Sequence, residues 1–359
     1  MTGMSGGRAS PASGSRLKEW AGKVALLLVA SAICLVFLEV AVRWLFPYFD
    51  PHARLQMGLA TNGVALGPPM KSTRLAQPRG EFDTLIRWNE DGFRDTRTLR
   101  EATSEDWIAL GDSFTMGWGV QAQERFSNFF EDGLQRLGQS ARVFNVATPE
   151  NFIGYRRMLK YAESRGAIVD HLIVGVCMEN DLRDYSDGKT AGEMVPGDSG
   201  AQDSHPKWIR NWCKRHTALY PAISFALQRS PFIARQLERT GIVRGVDEIN
   251  ARAVLGDNIL KSSRDELLKV VARHDAVILI IPSRRLWHGD NKATEQRMHE
   301  EFVRLLREAN LNVVDMAPTM EKRGDPLAFY FTTDPHWNAR GHALAAELLL
   351  EAETASLHP

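Results

Sequence analysis

Trp107-Ile108-Ala109-Leu110-Gly111-Asp112-Ser113-Phe114 is the stretch on which the reading of this chain turns. Its four apolar residues run into Gly-Asp-Ser, residues that favour turns, which is the pattern of a short buried strand. Ser113 then stands just beyond the strand, at the carboxyl edge where open α/β sheets build their sites. Working outward, the pattern repeats. Strands are expected at 107–110, 142–147, 171–177, 276–282 and 312–315. Helical spacing falls at 122–137, 152–164, 262–274, 294–309 and 338–350. Short apolar strands joined by crossover helices specify a mostly parallel sheet covered on both faces, hence a three-layer α/β domain.

The N-terminus breaks this pattern. A Gly/Ser-rich lead carrying Arg8, Arg16, Lys18 and Lys23 meets an uncharged apolar run, Val24 to Leu38, and Glu39 and Arg43 sit among apolar residues that continue to Phe46. At about 1.5 Å per residue this helix covers roughly 30 Å of hydrocarbon, with both charges near its outer end. A single transmembrane helix is expected. Cleavage of a signal peptide after Ala30-Ser31-Ala32 is the rival reading, disfavoured because apolar sequence continues past it. A lipoprotein site at Cys34 is weaker still, because Ile33 precedes it. Basic residues before the span favour a cytoplasmic N-terminus, with the rest of the chain outside the cytoplasm. The chain therefore divides into a basic N-terminus (1–23), a signal anchor (24–46), an extracytoplasmic stem and lead-in (47–105) and an α/β catalytic domain (106–354). Within the last, 185–257 is an insertion, either a cap over the site or a plain structural addition.

Composition excludes little but points away from nucleic acid. Lys plus Arg number 44 and Asp plus Glu number 44, so no general attraction to phosphate backbones or anionic lipids exists. Cys177 and Cys213 can pair in an oxidising compartment; Cys177, at the end of an apolar strand, equally reads as a small buried hydrophobe. No His pair has metal-ligand spacing with a third partner, so no metal and no cofactor is expected. Gly117-Trp118-Gly119 lies too far beyond its strand for a dinucleotide-binding turn.

A serine hydroxyl needs a base to become a nucleophile. Thr333-Asp334-Pro335-His336-Trp337-Asn338 supplies one just before the last amphipathic helix. There Asp334 can fix one imidazole tautomer while the other His336 nitrogen faces the serine. The same residues also read as an N-capping loop, begun by Asp334 or Asn338. Glu179-Asn180-Asp181 comes directly after the 171–177 strand, where the Asn180 amide can serve an oxyanion or simply a turn.

With Gly111-Asp112-Ser113, Asn180-Asp181 and Asp334-Pro335-His336 in place, the chain resembles the SGNH (GDSL-like) hydrolase superfamily from about Asn89 to Leu350. Asn89-Glu90-Asp91-Gly92-Phe93-Arg94-Asp95 is similar to the lead-in of its membrane-anchored bacterial members. The resemblance implies a flavodoxin-like sheet, Ser113 as nucleophile, His336 as general base and Asp334 as its orienter. It implies an oxyanion hole from Asn180, the Ser113 N–H and a third N–H, which in this chain belongs to Glu150, where the family carries glycine. The Asp-x-His spacing is similar to that of periplasmic polysaccharide O-acetyltransferases in the superfamily.

Span, motifs and resemblance together imply an esterase of the cell inner membrane with its domain in the periplasm, acting on an acylated small molecule or glycan. Two alternatives stand: an O-acetyltransferase working with a membrane acyl-transporting partner, and a non-catalytic glycan-binding or assembly protein. Trp118, Trp208, Trp212, Trp287 and Trp337 are either sugar-stacking platforms or packed residues.

Overall fold

A computed structural model describes residues 12–51, 55, 57–59, 63–77, 79–185, 212–213, 216–239 and 256–357. Most of the insertion read at 185–257, Trp208 included, lies outside them. The chain falls into two compact units, Met1–Pro51 with His205–Ser224, and His52–Ser204 with Phe225–Pro359.

In the first unit, helix α1 (Ala12–Leu45) contains Lys18–Leu45, 28 residues whose most apolar 18-residue window has a mean hydropathy of 2.7, long and apolar enough to cross a membrane. The charges near its end are not bare. Glu39 pairs with Arg43 at 2.7 Å and accepts the N–H groups of Ala218 and Leu219 at 2.8 Å each. Those N–H groups open the helix Leu219–Arg229, so one carboxylate satisfies donors that the helix itself leaves unpaired.

The second unit is the sheet and its layers. Two small antiparallel pairs come first, β1 (Gly58–Leu59) with β2 (Ala65–Leu66) and β3 (Ser72–Ala76) with β4 (Asp83–Arg87). The main elements come next, in order: β5 (Trp107–Gly111), α2 (Ser113–Met116), α3 (Phe126–Arg136), β6 (Val143–Ala147), α4 (Phe152–Ser164) and β7 (His171–Cys177). Helices α5 (Leu219–Arg229), which begins in the first unit, and α6 (Pro231–Arg239) precede α7 (Asp257–Val271), β8 (Asp275–Ile281), α8 (Lys292–Glu308), β9 (Asn312–Asp315), α9 (Ala317–Lys322) and α10 (Ala339–Leu357).

The five strands β5 to β9 are all parallel, in the order β6-β5-β7-β8-β9. Alternation along each strand divides the core. Ile108, Leu110, Val174, Ile278 and Ile280 pack on one face with α4, α7 and α8. Trp107, Ala109, Ile173, Val277 and Leu279 pack on the other with α3 and α10. This is the expected three-layer α/β architecture. Each fully buried Ile or Leu contributes about 1.5–3 kcal/mol of transfer free energy, so both faces must be covered for the sheet to persist.

Helices depart from expectation in instructive places. The helix expected over 122–137 is broken: a 3-10 turn, Ala122–Glu124, closes on the reciprocal Gln121/Glu124 capping box, and α3 begins only at Phe126. Arg125 between them is extended and buried, its guanidinium donating to Ala122 O, Asn128 Oδ1 and Arg94 O. A helical Arg125 would lose these partners. Helix α7 begins five residues before the expected 262, where Asp257 suits the positive helix start.

Candidate active site

The sheet order reverses between β6-β5 and β5-β7, and in doubly wound sheets the crevice beyond the carboxyl ends at that point takes the ligand. Ser113 comes after β5 and Asn180 after β7, so both stand there. The turn into α2 is unusually close. A Cβ on Gly111 would lie 2.1 Å from Thr115 Oγ1, and one on Gly175 2.2 Å from the same atom. Two glycines thus let the first turn of α2 sit directly on β5 and β7, which fixes Ser113 at the sheet edge. Asp112 is the N-cap, accepting Phe114 N at 2.9 Å, and Ser113 at N1 has an N–H that no intrahelical carbonyl can take.

The distant pair arrives at this serine. Ser113 Oγ lies 2.8 Å from His336 Nε2, and His336 Nδ1 lies 2.6 Å from Asp334 Oδ1. Asp334 Oδ1 also accepts the His336 N–H at 3.0 Å. The Asp334 carboxyl is held below its usual range: burial pushes it up, but the His336 charge and its hydrogen bonds outweigh that. Of the two expected cap residues, Asn338 takes the helix role, accepting Arg340 N at 2.9 Å, which leaves Asp334 facing the imidazole.

Asn180 Nδ2 donates to Asp112 Oδ2 at 2.9 Å, and the second N–H of an amide group remains for another acceptor. Asp112, read from sequence only as part of a turn-forming triplet, is therefore the link between the Ser113 turn and the Asn180 turn. It is fully buried, and burial raises its carboxyl above the usual value against the pull of Asn180, His336 and the Phe114 N–H. Behind it Asp181, also fully buried, accepts Cys177 N at 2.7 Å and the Tyr155 hydroxyl at 2.9 Å. Burial and the Asp112 charge lift Asp181 well above the carboxylate range.

Glu150 is buried between β6 and α4, and its side chain lies over Gly154, where a Cβ would meet Glu150 Oε2 at 2.5 Å. Its carboxylate accepts the Ala65 N–H and faces Arg157 and Arg183; burial nevertheless raises it to about 7. Its side chain is thus engaged with the α4 start and the β2 backbone.

Other residues fill the surroundings. Trp118 packs on the His336 ring, Trp337 is wholly buried in the core, Trp287 donates to Glu321 at 2.9 Å, and exposed Trp212 contacts His216. Cys177 is a buried thiol at the end of β7. Arg94 from the lead-in is buried and donates to the carbonyls of Met116, Gly117 and Val120. Burial and the neighbouring Arg125 lower it to about 9. The glycine loop at 117–119 is thus spent on holding Arg94.

Residues 109–344, well over half of the chain, match the GDSL-like lipase/acylhydrolase family, and the chain belongs to that family. It is an SGNH-type hydrolase with esterase-type chemistry. Similar solved structures include a lipolytic protein of the G-D-S-L family from Veillonella parvula, at 14% identity over 69% of this chain and 98% of that one, with a TM-score of 0.37. A lipase/acylhydrolase from Enterococcus faecalis is 10% identical over 70% and 96%, TM-score 0.40. A catalytic mutant of an acetylxylan esterase from Geobacillus stearothermophilus is 12% identical over 70% and 95%, TM-score 0.39. No curated protein sequence matches the chain.

Proposed function

We propose that this is a membrane-anchored serine esterase that removes acyl groups, acetyl above all, from cell-envelope glycans through an acyl-serine intermediate. The observation that carries this reading is the unbroken relay Ser113 Oγ, His336 Nε2, His336 Nδ1, Asp334 Oδ1, with steps of 2.8 and 2.6 Å. Ser113 Oγ attacks the ester carbonyl while His336 Nε2 takes its proton, and Asp334 stabilises the imidazolium that results. The oxyanion is met by the Ser113 N–H, the second Asn180 N–H and the Glu150 N–H, a donor of this kind being worth about 3 kcal/mol. Collapse expels the alcohol, which takes the proton from His336. Water, deprotonated by the same nitrogen, then cleaves the acyl-serine and restores the hydroxyl.

The glycan assignment rests on location: an apolar N-terminal helix with basic residues before it favours a periplasmic domain. A reporter fused after Pro359 should be active only outside the cytoplasm, and cytoplasmic activity would remove this assignment. The Asp334-Pro335-His336 spacing favours one second reading, transfer of the acyl group to a glycan hydroxyl with a membrane partner as acyl source; hydrolysis and transfer differ in whether water reaches the acyl-serine. Activity is tested with an acetyl-ester chromogen. Ser113→Ala and His336→Ala should each cost roughly 10^3-fold or more, and the double variant little beyond either. Near-wild-type turnover by Ser113→Ala would refute the nucleophile.

A further inference from the structure

The loop that carries Asp334 and His336 is closed at its base by Phe331 N donating to His336 O, 3.0 Å, and by the Tyr330/Trp337 bridge. Two side chains of opposite charge hold more of its backbone from outside. Glu81, in the turn between β3 and β4, accepts Thr332 N at 2.6 Å through Oε1, and Thr333 N at 2.7 Å and Thr333 Oγ1 at 2.6 Å through Oε2. Gln77 Nε2 donates to the same threonine hydroxyl at 2.7 Å, and the Phe82 ring lies 4.9 Å from that of Phe331. From another side Arg284, buried after β8, donates through Nη1 to Phe331 O at 2.8 Å and Asp334 O at 3.0 Å.

Arg284 is itself tied to the Asn180 turn. Glu179 Oε1 accepts Arg284 N at 3.1 Å and Ser283 Oγ at 2.8 Å. One chain of contacts therefore runs from the turn bearing Asn180, through Glu179 and Arg284, to the Asp334 carbonyl. Glu81 grips the adjacent amides.

We infer that Glu81 and Arg284 are positioning residues that hold the Asp334/His336 pair in register with Ser113, and that the β3–β4 hairpin, which precedes the family match, is a working part of the active site. This rests on the hydrolase reading above. Charge-assisted bonds suit the task because they are shorter and stronger than neutral ones, and a shift of about 1 Å in a reacting group can cost 10^2-fold.

The test is the rate at which a fluorophosphonate labels Ser113 in the full-length protein in detergent, together with kcat and KM on an acetyl ester. Wild-type labelling that vanishes in Ser113→Ala establishes the hydrolase reading independently of the clamp; absence of wild-type labelling would overturn that reading and this inference with it. Given labelling, Glu81→Gln and Arg284→Met should each slow it by tenfold or more and lower kcat with KM changed less than about twofold, and Glu81→Asp should recover part of the rate. Thr333→Val, which deletes only the hydroxyl's bonds with Glu81 and Gln77 and keeps the two amides on Glu81, should slow labelling about threefold, and it decides the matter if the other variants melt more than a few degrees early. Labelling at the wild-type rate in folded Glu81→Gln and Arg284→Met, or in Thr333→Val where those two are unstable, would overturn the inference.

Discussion

The Trp118 indole stacks on the His336 imidazole, ring centres 5.2 Å apart and planes 20° from parallel. Phe114 covers another side of the same ring at 4.7 Å, so the imidazole is gripped by aromatics while its two nitrogens face Ser113 and Asp334. The loop bearing Trp118 is in turn fixed by Arg94 through three carbonyls. A ring face would also favour the imidazolium of the proposed mechanism.

Removing that face should lower kcat without unfolding the protein. Contacts of this kind are worth about 0.5–1.5 kcal/mol, so Trp118→Ala should lose roughly 2- to 12-fold in kcat and Trp118→Phe much less. Steady-state kinetics on an acetyl ester check this. A larger change in KM than in kcat would instead make Trp118 a substrate-binding surface.

Asp112 divides its donors between two oxygens, the helix start on Oδ1 through Phe114 N and Asn180 Nδ2 on Oδ2. An asparagine there has one acceptor, so Asp112→Asn must release either the helix cap or the Asn180 amide. The expected loss is about 10^2-fold in kcat with KM little changed, as for a lost oxyanion donor. Asn180→Ala should match it, and the double variant should add little. Additive losses would separate the two residues.

How far these features are legible in the sequence depends on the physics of each. The five sheet strands are legible because each is built on a short apolar stretch, broken in β6 by Asn145 and reduced in β9 to Val313 and Val314, and β7 and β9 fall at the expected residues, His171–Cys177 and Asn312–Asp315. The Asp334/His336 pair is legible because two residues of fixed chemistry lie two positions apart before an amphipathic helix. Glu81 and Arg284 are not, because a charged side chain in a loop carries no periodicity, and its partners are backbone groups some 50 to 250 positions away. Arg94 and Arg125 hide for a related reason. A buried guanidinium looks like any surface arginine until the carbonyls that satisfy it are seen. Glu150 is legible as a departure from glycine, but not the direction of its carboxylate, which depends on Gly154 leaving room beside it.

That carboxylate gives stability a pH dependence of definite sign. Burial raises Glu150 from an ordinary 4.5 to about 7, against Arg157, Arg183 and the Ala65 N–H. Between those values the folded protein keeps a proton that the unfolded chain has released. The contribution is therefore fully present below pH 4.5 and is lost as pH rises through about 7. Glu150→Gln removes this loss, so relative to wild type it should gain roughly 2–3 kcal/mol by pH 8 compared with pH 4.5. Denaturant unfolding at both pH values measures the difference. An offset equal at the two would contradict the assignment.

In the proposed reaction an acyl group passes onto Ser113 with His336 as base. Rapid quenching of the full-length protein with an activated acetyl ester, then peptide mass analysis, tests it most directly. One acetyl group is expected on Ser113, formed in a burst, absent from Ser113→Ala and nearly absent from His336→Ala. Turnover of the ester with acetyl on no residue, or on a residue other than Ser113, would contradict it.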